Sequence, residues 1–168
     1  MKPRFRPSSY CGARRSGFTL IEMAITVALV GILASALVPL ADLTVQRMHE
    51  KDLRLALRQI RSAIDSYKVA VDAGMIMRKV DSSGYPPDLA VLASGVDDIR
   101  QPGQSKIRFL RKLPRDPFFP DPGVTAEDTW GKRSYASQPD APQEGADVFD
   151  VYSRAEGVGL NGVPYSQW

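Results

Sequence analysis

The stretch RRSGFTLIEMAITVALVGILASALVPL, Arg14 to Leu40, sets one glutamate, Glu22, at the head of an otherwise apolar run. Met23 to Leu40 is 18 residues without a charge, which as a helix spans about 27 Å against a bilayer hydrocarbon core of about 30 Å. An acidic residue deep in a spanning helix costs roughly 2.5–3.5 kcal/mol, so a plain anchor has no use for one. Either a partner satisfies Glu22 or the segment does more than anchor. The basic residues upstream predict a cytoplasmic leader and a single pass, with everything after Leu40 on the far side of the membrane.

Working outward, the charge of the chain is concentrated in that leader. The formal net charge is +3 over 168 residues, but Lys2, Arg4, Arg6, Arg14 and Arg15 all precede Gly17, with no acid among them. Without those five, 17 basic groups face 19 acids, a balance of −2, so the remainder has no basic surface of the kind that binds nucleic acid directly. The length suits one modest domain plus an anchor. Cys11 is the only cysteine and also lies in the leader, leaving the rest without a disulfide, and the single histidine, His49, excludes the common His-rich zinc sites.

Beyond Asp42 the composition turns charged, yet Leu53, Leu57, Ile60, Ile64, Tyr67 and Val71 recur at helical spacing. Arg54, Arg58, Arg61, Asp65 and Lys68 largely fill the other face, which reads as a solvated surface first and a subunit contact second. The pattern predicts one helix of some 50 residues with Gly74 as its stop and Pro39 as a point of loosening. Asp81 to Pro87 is dense in turn formers, Pro87-Asp88 opens a short helix through Ser94 with Leu89 and Leu92 inward, and Gln101 to Ser105 is an exposed loop. Ile107–Leu113, Trp130–Ala136 and Asp147–Ser153 read as extended, the last with Val148 and Asp150 on one face and Phe149 and Val151 on the other. Phe118 to Asp128 reads as a surface excursion, and Trp168 as an aromatic closing over the core. The fold class is α+β: a long N-terminal helix, transmembrane then amphipathic, packed on a small C-terminal antiparallel sheet.

A rival reading treats Ala34-Ser35-Ala36 as a signal-peptide cleavage site and Arg14-Arg15 as a twin-arginine signal. The apolar run is longer than a usual signal core, Glu22 interrupts its start, and helical patterning continues past the cut.

Ser16-Gly17-Phe18-Thr19-Leu20-Ile21-Glu22 resembles the cleavage and methylation motif of type IV pilins and type II secretion pseudopilins. Gly31 and Pro39 stand where that superfamily tends to have a glycine and a helix-loosening proline. Gly84-Tyr85-Pro86, Leu92, Leu113-Pro114-Arg115-Asp116-Pro117, Trp130-Gly131, Asp150-Val151-Tyr152-Ser153 and Trp168 resemble, more narrowly, the major (G-type) pseudopilins of type II secretion. The resemblance implies a pilin-like fold with residues 1–17 as a removed leader, 18–40 as the transmembrane and assembly helix and 41–168 as a periplasmic head. It implies cleavage by a prepilin peptidase between Gly17 and Phe18, N-methylation of Phe18, and pairing of Glu22 with the terminal amine of a neighbouring subunit. The implied partners are other copies in a helical filament, other pseudopilins, an inner-membrane platform with its assembly ATPase, and the membrane itself. The absence of a disulfide-closed C-terminal loop separates the chain from major type IV pilins.

Two departures accompany the resemblance. The G-type proteins typically bind calcium in a C-terminal loop through aspartates, where this chain offers Glu156 and Asn161, and calcium takes about six to eight oxygens. The segment between Asp116-Pro117 and Trp130-Gly131 is an insertion. These departures keep open a minor pseudopilin or a subunit of another pilus or DNA-uptake machine. An exported enzyme or binding protein, built on Asp147, Asp150 and Glu156, is the reading from another class; acids this near a glycine-rich turn are more often turn and solubility residues. The cleavage reading predicts, by mass spectrometry, a mature chain beginning at Phe18 and carrying one added methyl group; a start just after Ala36 is the outcome of the signal-peptide reading.

Overall fold

In the computed structural model, residues 17–80, 82–101, 103 and 105–168 are described, without the side chains of residues 36–40. The basic leader and Cys11, and the side chain of Pro39, lie outside them. The chain divides into two compact units, Met1–Asp42 and Leu43–Trp168.

Helix α1 (Leu20–Asp72) is 53 residues long, as its two successive patterns predict. Within the first unit, Thr19 precedes the helix and its Oγ1 accepts the N–H of Glu22 at 3.3 Å, satisfying one of the donors that a helix start leaves orphaned. Thr26 and Ser35, hydroxyls inside the apolar run, donate back to the carbonyls of Met23 and Ile32 at 2.9 and 2.7 Å, so neither presents an unpaired polar group. The helix continues through Gly31 and Pro39 without a break.

In the second unit α1 buries a stripe at spacing three and four: Leu53, Ala56, Leu57, Ile60, Ala63, Ile64, Tyr67, Ala70 and Val71. The alanines let the other elements approach closely, while Leu53, Ile60 and Ile64 are fully enclosed. The stop at Gly74 is a left-handed residue, φ 68°. The Gly74 N–H reaches the carbonyl of Val71 and that of Met75 reaches Ala70, both at 2.9 Å, the paired closure of a Schellman end. Met75–Met77 therefore do not extend the helix.

Helix α2 (Ala90–Ser94) opens where Asp88 accepts the Val91 N–H at 2.8 Å, and Leu89 and Leu92 are both fully buried. Strands β1 (Val96–Asp97) and β2 (Lys106–Ile107) form one antiparallel ribbon; β3 (Trp130–Arg133) and β4 (Asp150–Ser153) form another. The antiparallel component is thus two short ribbons, and each expected strand is shorter than its pattern. Ile107–Leu113 stops pairing after Ile107 because the N–H groups of Phe109 and Leu110 both donate to the Leu92 carbonyl, one of the acceptors that the end of α2 leaves free. Beyond Arg133, the Ser134 N–H turns to the Gln143 carbonyl. Ahead of Asp150, Val148 donates to Pro86 rather than to a strand, so Val148 and Val151 are both buried, contrary to the alternation read across Asp147–Ser153. A period of two holds only where the ladder exists.

The core joins the α1 stripe to Leu89, Leu92, Leu113, Trp130, Val148, Val151 and Tyr165. Trp130 donates its indole N–H to the Pro114 carbonyl at 2.9 Å. Gly131 is required beside it: a Cβ there would come within 2.3 Å of the Tyr152 ring, its cross-strand partner. Asp116 is buried and collects the Ser153 hydroxyl at 2.5 Å and the Phe118 N–H at 2.9 Å, while its own N–H donates to Thr129 Oγ1 at 3.2 Å. The insertion consequently leaves and returns at one knot of hydrogen bonds. It is also internally braced, with Arg115 donating to the carbonyls of Asp121, Pro122 and Val124. Phe118 and Ala126 pack against the core, which corrects the expectation of a purely surface excursion.

Ile60→Ala is expected to lower unfolding stability by about 2–5 kcal/mol through the cavity it leaves, whereas Val69→Ala, on the exposed face of the same helix, should leave it nearly unchanged. Denaturant titration of the full chain in detergent measures both.

Candidate functional site

The first unit presents apolar side chains around its whole circumference. Phe18, Leu20, Ile21, Met23, Ile25, Val27, Leu29, Val30, Ile32 and Leu33 are all more than half exposed. A helix apolar on every side is one meant for burial in lipid or among other helices, since an ordinary surface helix shows a single stripe. Among the described residues no helix is long and apolar enough to cross a membrane. The uncharged run that predicts a span ends in residues 36–40, whose side chains are not described.

Glu22 sits in the first turn of α1, one helical turn after Phe18. Its carboxylate meets no other side chain among the described residues, and its backbone N–H is already taken by Thr19. The spacing Thr19-x-x-Glu22 is that of a capping box, but only the Thr19 half of the exchange is made. That half was legible in the sequence as a Thr three residues ahead of a Glu before an apolar run. The Gly17–Phe18 bond lies outside the helix with both residues exposed. A Cβ placed on Gly31 would meet nothing within 4 Å, so the glycine answers no packing need inside this unit. The structure brings Gly17, Phe18 and Glu22 together at one helix start and leaves Gly31 more than two turns away.

A family model described as the prokaryotic N-terminal methylation motif matches residues 12–38. The type II secretion system core protein G of Klebsiella michiganensis is 30% identical over 109 residues, covering 62% of this chain and 69% of that protein. The protein of the same name from Pseudomonas aeruginosa is 32% identical over 109 residues, with the same coverages. The chain belongs to the type II secretion system core protein G family. A further core protein G, from Dickeya chrysanthemi, is 27% identical over 155 residues, covering 89% of this chain and 94% of that protein. No solved structure matches.

Core protein G membership makes the expected calcium ligands worth testing against the geometry, and the donor set does not fit. Glu156 is exposed, and Asn161 spends its Oδ1 on the Val163 N–H at 3.1 Å. Three backbone acceptors of the loop are engaged as well: Gly157 O by Tyr165 N–H, Gly159 O by Gly162 N–H, and Val163 O by both Gly159 N–H and the Trp168 indole. Among the described residues no group of three or more His, Cys, Asp or Glu side chains is arranged to hold a metal ion.

Two of the three acids that suggested an enzyme, Asp147 and Asp150, have structural duties. Asp150 pairs with Arg61 at 2.8 Å and Arg133 at 3.5 Å, so Arg61 is an inter-element tie and not part of a merely solvated face. Asp147 accepts the hydroxyls of Ser83 and Ser134 and the Tyr135 N–H. Burial by itself raises its pKa, but those hydrogen bonds outweigh it and hold the carboxyl below the usual aspartate range. A lowered folded-state pKa contributes stability above the unfolded value, and that contribution disappears as pH falls through the folded one. Asp147→Asn is therefore expected to lower the melting temperature at pH 7 and to narrow the gap between melts at neutral and strongly acidic pH, as read by circular dichroism.

Proposed function

We propose that this core protein G relative is a structural, non-enzymatic subunit of a type II secretion pseudopilus. A prepilin peptidase removes residues 1–17, Phe18 becomes the methylated N-terminus, and residues 18–40 form a single-pass inner-membrane anchor. Residues 41–168 stand in the periplasm. Copies then leave the bilayer for a helical filament with other pseudopilins, driven by an assembly ATPase and its membrane platform, and help move protein substrates across the outer membrane.

The observation that carries this reading is an all-round apolar helix whose first turn holds one carboxylate with no side-chain partner in its own described chain. Cleavage after Gly17 creates an amine four residues before Glu22, and the positive end of the helix dipole adds to it. The same pair made between subunits turns a costly buried charge into a register mark, because only the correct offset brings carboxylate and amine together. An interface of this kind is heterologous and does not close on itself, so it propagates as a filament. Gly31 and Pro39 supply the points at which the helix loosens as subunits are drawn from the membrane.

Glu22→Ala or Glu22→Val is expected to leave membrane insertion intact and to abolish assembly, read as loss of inter-subunit cross-links and of filaments. Normal filaments from either variant would overturn the mechanism.

A further inference from the structure

The segment from Gly157 to Trp168 has three glycines and, in the buried core, one residue, Tyr165. Such a segment does not order itself, because glycine loses the most conformational freedom on folding. Something outside it must hold it. In this chain the holding group is an acid on α1. Glu50 is only 5% exposed, and its Oε1 accepts the Leu160 N–H at 2.7 Å, the Tyr165 hydroxyl at 3.3 Å and the Gln46 amide at 3.4 Å. Gln46 also donates to the Tyr165 oxygen at 3.1 Å, and Arg54 lies 3.9 Å from the other Glu50 oxygen.

The dependence is mutual. A buried carboxylate without donors is strongly unfavourable, and two of the donors that make this one tolerable, the Leu160 N–H and the Tyr165 hydroxyl, come from the loop it retains. Burial and the neighbouring Glu50 push the Tyr165 hydroxyl above its ordinary pKa, though Gln46 opposes them, so it stays protonated and donating.

A layer of rings lies over this knot. Phe118 stacks on Tyr165 with centroids 4.3 Å apart and meets His49 of α1 edge-on at 5.5 Å; Tyr165 in turn meets Trp168 edge-on at 5.2 Å. The Arg54 guanidinium sits 4.3 Å over the Trp168 ring, and Arg61 donates to the Trp168 carbonyl at 2.7 Å. Trp168 can cross the loop because residue 159 is glycine: a Cβ there would come within 2.4 Å of the indole.

We infer that the C-terminal loop of this protein is closed without a metal ion, by the Glu50 carboxylate of α1 and by Phe118, the ring contributed by the insertion between Asp116-Pro117 and Trp130-Gly131. The insertion thereby has a purpose. It carries an aromatic to the place where a loop short of carboxylates needs a second tie, and its bracing by Arg115 and Asp116 holds that ring in position. A cation bound in this loop would find Glu156 as its one carboxylate, against the several oxygens calcium takes.

The experiment uses the full chain in detergent and follows thermal unfolding and amide hydrogen exchange. It reads the single subunit, so its failure leaves the assembly role of Glu22 untouched. Wild-type melting temperature and protection of residues 157–168 are expected to be the same in CaCl2 and in excess EGTA. Glu50→Ala should speed exchange at the Leu160 amide by about tenfold or more while amides around Ile60 and Ile64 remain protected. Phe118→Ala should act in the same direction without removing a buried hydrogen bond, and it carries the test should Glu50→Ala lose the whole fold. A calcium-dependent rise in melting temperature or loop protection, or a Leu160 amide still protected in a folded Glu50→Ala chain or in Phe118→Ala, would overturn the inference.

Discussion

Helix α1 has to meet two burial requirements on one continuous backbone. From Phe18 to Leu33 it carries apolar side chains on every side, and from Leu53 to Val71 it carries them on one stripe. Neither pattern is stable alone in water: the first exposes too much apolar surface, and the second needs a sheet, a short helix and ordered loops to cover its stripe. The second requirement is met within the chain, by Leu89, Leu92, Leu113, Trp130 and Val151. Among the described residues the first is not, and in that respect the two halves of one helix differ.

Polar groups are treated consistently with this division. In the apolar segment Thr26 and Ser35 turn their hydroxyls onto their own helix and Thr19 caps its start, while the Glu22 carboxylate has no side-chain partner among the described residues. In the globular unit no buried side-chain nitrogen or oxygen among the described residues lacks a partner. Asp116, Asp147, Asp150 and Glu50 each tie together segments far apart in sequence. These carboxylates do the work that a larger hydrophobic core or disulfides would do in another small domain. Asp147 and Asp150, two of the acids flagged as catalytic candidates, are thus joints of the fold.

Short sequence words acquire separate physical reasons in the structure. Trp130-Gly131 is a buried indole bonded to Pro114 followed by the one residue that fits under Tyr152. Leu113-Pro114-Arg115-Asp116-Pro117 supplies a core leucine, the carbonyl that receives Trp130, the guanidinium that braces the insertion and the carboxylate that meets Ser153.

The sequence by itself determined the long helix, its change from all-round to one-sided apolar patterning, its stop at Gly74, the inward pair Leu89 and Leu92, and the cluster of Gly17, Phe18 and Glu22 at one helix start. All of these follow from local spacing, which a helix converts directly into faces and ends. The tertiary structure alone decided the strand limits, the joint burial of Val148 and Val151, the passage of Phe118 into the core, the conversion of Arg61 from a solvated charge into a tie, and the role of Glu50. Each of these depends on partners distant in sequence, and no periodicity along one segment encodes which remote carbonyl, ring or carboxylate it will meet when the chain closes.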